Sequence, residues 1–223
     1  MKADIVAVID DDNIPLDGWG KDLMIGKTTL VKKYLTNLPA FDPVGATNYP
    51  YLWHRGFPLQ LLPDRDYTFM QKEMIIPDVQ ADFWNGDPDI DAICRMQFRP
   101  ECKFNPSLYP IASNQLSPFN SQNTFLKGDF IKNYFLFPHI GRMDDIWASY
   151  YIQAKGAKVV YGKPSVYQQR NEHDLVVDMK LEYIGYENNL RLLKEIKINA
   201  ANIFKFLPDK AQKAFDLYKK HFI

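Results

Sequence analysis

Cysteine is scarce in this chain. Cys94 and Cys102 are the only two among 223 residues. Two cysteines build neither a disulfide framework nor a zinc site. They read as reduced thiols, a state that allows a cytoplasmic location. Excess charge is lacking too: Lys and Arg number 27, and so do Asp and Glu. That balance gives no reason to expect nucleic acid or an anionic membrane surface as a partner. No apolar run reaches the roughly 18 residues of a membrane span. Met1 and Lys2 lead into a short strand and then acid, which is no signal peptide. No asparagine can accept a glycan, since Asn105-Pro106-Ser107 is blocked by its proline. Internal repeats and low-complexity tracts are missing as well.

What the chain does have is acid in particular places. "DIVAVIDDDNIP", residues 4–15, carries an apolar, largely β-branched run from Ile5 to Ile9 that leads straight into Asp10, Asp11 and Asp12. The continuous apolar run reads as a central strand covered on both faces. In an open α/β sheet, ligands bind at the carboxyl ends of strands. Three adjacent like charges repel one another unless a cation or hydrogen-bond donors compensate. Asp10 and Asp12 point to one side of an extended chain and suit Mg²⁺ or Mn²⁺ with a diphosphate as the remaining ligand. The plainer alternative is a solvated acidic turn.

Two further acidic groups follow. Asp144 and Asp145 open "DDIWASYYIQAKG", whose Ile146, Trp147, Tyr150 and Tyr151 form a helical stripe that Gly156 ends. Acids in a first turn suit the helix dipole, and one of them could also serve as a general base. Asp87, Asp89 and Asp91 precede Arg95 and read, taken alone, as a turn with a helix cap. His173 in "QRNEHD" becomes a metal-ligand candidate only beside such carboxylates. "IGKTTLVKKY" resembles the end of a phosphate-binding loop, but the motif needs Gly where Lys21 stands.

Elsewhere, residues 13–20 read as loop and 40–66 as irregular. "AKVVYGKPSVYQ" reads as a strand pair or a bent strand. The chain is helical from Leu181 onward, with a break at Pro208. Strands alternating with helices give an α/β fold.

Taken together, these segments resemble the GT-A glycosyltransferases. More narrowly, they resemble the reversibly glycosylated polypeptides (UDP-arabinopyranose mutases) and the STELLO-like glycosyltransferases. "YPYLWHRGFPLQLL", "WNGDPDIDA", "IGRMDDIWASYYIQ" and "RNEHDLVVDMKLEY" carry the likeness, in order, from about Asp4 to about Tyr186. The resemblance implies a GT-A-like mixed sheet over residues 1–186, with residues 187–223 as a helical extension packed on the same domain. It implies a nucleotide-sugar donor, an unidentified glycan or protein acceptor, and Mn²⁺ or Mg²⁺. By position, Asp10 and Asp11 with Arg142 would meet the nucleotide, and Asp12 and His173 the metal. Asp89, Asp91 and Arg95 would lie by the sugar, with Asp144 and Asp145 as the catalytic pair. Gln168 stands where the mutase-like proteins carry a histidine, so either His173 takes its place or metal binding is weak.

The resemblance also implies an N-terminal nucleotide-binding half before the first strand, where only Met1 to Ala3 stand. A truncated sheet would leave an apolar patch beside that strand and favour self-association or a partner chain. Two alternatives remain open. One is a non-catalytic glycosyltransferase-like binding module. The other is a haloacid-dehalogenase-type phosphatase, which wants Thr or Val where Ile14 sits.

Overall fold

The structure, a computed structural model, describes residues 3–222. Its most deeply buried strand is β5, Val79–Gly86, paired in parallel with β8, Val159–Gln168. Side chains alternate along β5, so Val79, Ala81 and Phe83 share one face and Gln80 and Asp82 the other. Phe83 packs against Phe104, Tyr109 and Tyr161. β8 is one bent strand. Its register with β5 slips between Gly162 and Val166, where Pro164 cannot donate to a ladder.

The sheet grows from this pair in both directions. β7 (Asn123–Lys127) lies antiparallel to β5, and β1 (Ile5–Ile9) antiparallel to β7. On the other side come β6 (Ile111–Ser113), β3 (Thr29–Tyr34) and β4 (Met70–Ile75). β2 (Asn13–Pro15) pairs with the end of β8. The result is an open, mixed parallel and antiparallel sheet flanked by helices, an α/β fold as expected.

β1 differs from its expectation. Among the described residues it is an edge strand bonded only to β7, and Ala7 and Ile9 are exposed. A β-branched run suits an edge as well as a centre, because periodicity reports strand character and not neighbours. Residues 13–20 are likewise not all loop, since β2 lies within them. The apolar patch expected beside β1 reduces to Ile9. A larger one, with Leu30, Met70 and Met74, lies at the opposite edge on β3 and β4.

The helices close one main core. α1 (Ala92–Phe98) is capped by Asp91, whose carboxylate accepts from the Cys94 amide at 2.8 Å. α2 (Asp144–Ala154) buries Ile146, Trp147, Tyr150 and Tyr151. α3 spans Leu175–Ile198, starting earlier than Leu181 because Asp174 caps it. Trp147 Nε1 donates to Asn189 Oδ1 at 2.8 Å and ties α2 to α3. α4 (Asp209–Lys219) follows the break at Pro208 and sets Phe215 against Phe137 and Tyr151. The boundary at 186/187 falls inside α3, and both sides of it contribute to the same core. Among the described residues, no helix is long and apolar enough to cross a membrane.

Candidate functional site

β1, β5 and β8 point the same way, because β1 and β5 both run antiparallel to β7. Their carboxyl ends therefore open on one side of the sheet, where a ligand site is expected. The turn from β1 to β2 carries Asp10–Asp12. The Asp10 amide donates to Gln122 O at 3.1 Å, and the Gln169 amide to Asp12 O at 3.0 Å. The start of α2 closes the opposite wall. Between them lies a cleft of about 340 Å³. Asp10, Asp12, Arg142, Asp144, Asp145 and His173 all line it, although they span 163 positions of sequence (173 − 10).

Arg55, which the sequence reading missed, is the hub of the wall. Its Nε donates to both oxygens of Asp89, at 3.0 and 3.1 Å. Its two terminal nitrogens donate to the two oxygens of Asp145, at 2.9 and 2.8 Å. One of them also reaches the Arg142 carbonyl. All three side chains are buried. Burial disfavours the Arg55 and Asp89 charges, but mutual attraction outweighs it. Arg55, Arg170 and His54 hold Asp89 well below the usual carboxylate range, and Asp145 and Asp89 raise Arg55. The signal in the sequence was a lone arginine inside an apolar stretch, "LWHRGF", which demands a buried partner.

The other cations of the cleft are also engaged. Arg142 pairs with Glu182 at 3.0 Å and Asp178 at 3.5 Å. Arg170 reaches Asp89 at 3.4 Å, and His173 Nδ1 lies 3.1 Å from Asp178. Three carboxylates are left over. Asp10, Asp12 and Asp144 make no ion pair among the described residues. Burial, followed by the charges of Asp89, Asp12 and Asp145, pushes Asp10 up to about 6. Burial and then Asp145 raise Asp144.

This surplus of negative charge suits a cation. Asp12 Oδ1 is buried without a partner among the described residues. His173 has its Nδ1 side on a carboxylate, the usual support of a metal-bound imidazole, and its Nε2 makes no hydrogen bond to the described residues. These residues fit a hard divalent ion. They do not complete its shell: among the described residues, no three His, Cys, Asp or Glu side chains gather closely enough to hold a metal alone.

The remaining expected residues lie elsewhere. Asp11 is exposed and does not line the cleft. Asp89 and Asp91 are fully buried behind the wall. Arg95 is tied to Asp87 and the Pro88 carbonyl. None of these three lines the cleft; Asp89 supports its wall through Arg55. No protein-family model matches the chain, and no curated protein matches it significantly.

Stability should depend on pH in an unusual sense. Burial raises Asp10 to about 6, Asp82 to about 6 and Asp91 to about 7. Between the unfolded and folded values the native chain holds protons that the unfolded chain has released, so stability falls as pH rises through that window. His54, lowered by burial, opposes this with one group. Asp89, held low, loses its contribution only in stronger acid. The thermal midpoint is expected to be higher at about pH 5.5 than at about pH 8 by scanning calorimetry. A flat or rising profile would refute it.

Proposed function

We propose that the cleft transfers a glycosyl group from a nucleoside-diphosphate sugar to a hydroxyl acceptor, on a GT-A-like fold. The observation that carries this reading is the convergence of Asp10, Asp12, Asp144, Arg142 and His173 on one cleft at the carboxyl ends of three co-directional strands.

A divalent cation, Mn²⁺ or Mg²⁺, would be held by Asp12 and His173 beside Asp10 and would compensate charge on the departing diphosphate. The diphosphate oxygens would supply the ligands the protein lacks. Arg142 sits at the cleft with its guanidinium held by Glu182 and Asp178, and would donate to the diphosphate once the cation offsets the surplus carboxylates. The bond from the anomeric carbon to the diphosphate breaks, and a bond to the acceptor oxygen forms. Asp144 takes the acceptor proton, since its carboxylate is unpaired and burial raises its basicity. Asp145 cannot share this task, because both its oxygens are held by Arg55.

One observation favours a second reading, a binding module without turnover: among the described residues, fewer than three metal-ligating side chains are gathered.

Titration of UDP by calorimetry tests the main reading. Binding is expected in Mn²⁺, lost in EDTA, and weakened at least about tenfold in Asp12→Ala, the loss of one charged contact. Binding unaffected by either change would remove the metal–diphosphate reading. Mn²⁺ binding without UDP binding would favour the second.

A further inference from the structure

A second, smaller cavity of about 200 Å³ lies between residues 18–24 and the middle of β5 and β8. Its walls are mostly apolar, with Leu23 and Met24 on one side and Tyr109 and Pro110 on another. One charge is built into them. Asp82 is only 6% exposed and stands in the middle of β5. In register across from it is Gly162 of β8. A Cβ there would sit 1.8 Å from Asp82 Oδ1, so the glycine leaves the carboxylate its room.

Asp82 has no cation among the described residues. Gln80 Nε2 donates to its Oδ1 at 2.8 Å, and Ser165 Oγ donates to its Oδ2 at 2.7 Å. Both donors are neutral. A carboxylate offers about four acceptor positions, so one on each oxygen is unused. Two side-by-side acceptors with an uncompensated charge match a cation that presents two parallel N–H groups. Asp22 and Lys163 also line the cavity but pair with each other at 2.7 Å. The net charge of the lining is thus that of Asp82. Burial pushes Asp82 up to about 6, the same charge deficit felt by a proton.

We propose that this cavity binds a small flat cation with a forked pair of N–H groups, of the amidine, guanidine or protonated aminoheterocycle class, seated on Asp82. The space is smaller than the roughly 300 Å³ at which drug-sized sites begin, so a single ring is the size that fits. The inference does not depend on the reading of the acidic cleft.

Benzamidine is the probe, titrated into the full chain by calorimetry. A dissociation constant of roughly 0.1–1 mM is expected for a ligand of this size. Benzamide, of similar shape but neutral, should bind at least about tenfold more weakly. Asp82→Asn should abolish benzamidine binding, and Asp12→Ala should leave it unchanged. That pair separates this site from the acidic cleft. Crystals of the unaltered chain soaked in benzamidine give a test that does not depend on any variant folding: density over Asp82 supports the proposal. Equal binding of the two probes, loss with Asp12→Ala instead of Asp82→Asn, or density only in the acidic cleft would each overturn it.

Discussion

Arg55→Met is expected to lower the free energy of unfolding by about 3–5 kcal/mol, the range seen when one partner of a buried ion pair is removed. Asp89 and Asp145 are both buried and both depend on this guanidinium. Methionine fills much of the same volume, so the loss would report stranded charge rather than a cavity. Arg55→Lys should recover little. A single ammonium cannot span two carboxylates that a planar fork meets bidentately. Acidity should separate the variant from the parent. In Arg55→Met the stranded carboxylates take up protons more readily, so the deficit should shrink as pH falls toward about 5. Urea denaturation at two pH values measures this. A loss below about 1 kcal/mol would place the pair with exposed salt bridges and discard the idea of a hub.

Asp144→Asn should have the opposite profile. Its carboxylate supports no ion pair, and the amide removes repulsion from Asp145, so stability should change little. Release of nucleoside diphosphate from a nucleotide sugar in the presence of acceptor should fall about a hundred- to ten-thousand-fold, the usual contribution of a general base. Asp145→Asn should instead lose stability, because it takes a charged acceptor from Arg55. The two neighbours thus test each other. Equal stability losses in both variants, with equal residual turnover, would mean that neither is a base and that the pair is structural.

Much of the site could be read from the chain because strands and helices export side chains by simple rules. The apolar run before Asp10 marked a strand end, and the aromatic stripe after Asp145 marked a helix start. Both meet at the cleft. What could not be read was depth. Asp89 and Asp144 look alike in sequence, each in an acidic group before a helix. One is sealed behind the wall by Arg55, Asn120 and Arg170, and the other faces the opening. That difference comes from residues 31 to 81 positions away from Asp89, beyond the reach of local pattern. The same limit misplaced β1. Five apolar residues announce a strand, but only pairing with β7 and nothing beyond it makes that strand an edge.

The far edge of the sheet has a consequence for handling the protein. β4 offers a free row of amides and carbonyls, with Met70 and Met74 exposed beside them and Leu30 across the hairpin. Such a row is a template on which another strand can assemble. Lys72 stands at its middle, exposed and paired in register with Lys32 of β3. A second copy docking edge to edge about that point would bring like charges together. Lys72 thus opposes edge-to-edge assembly, and concentrated salt, which screens it, is the condition under which such assembly should be seen first.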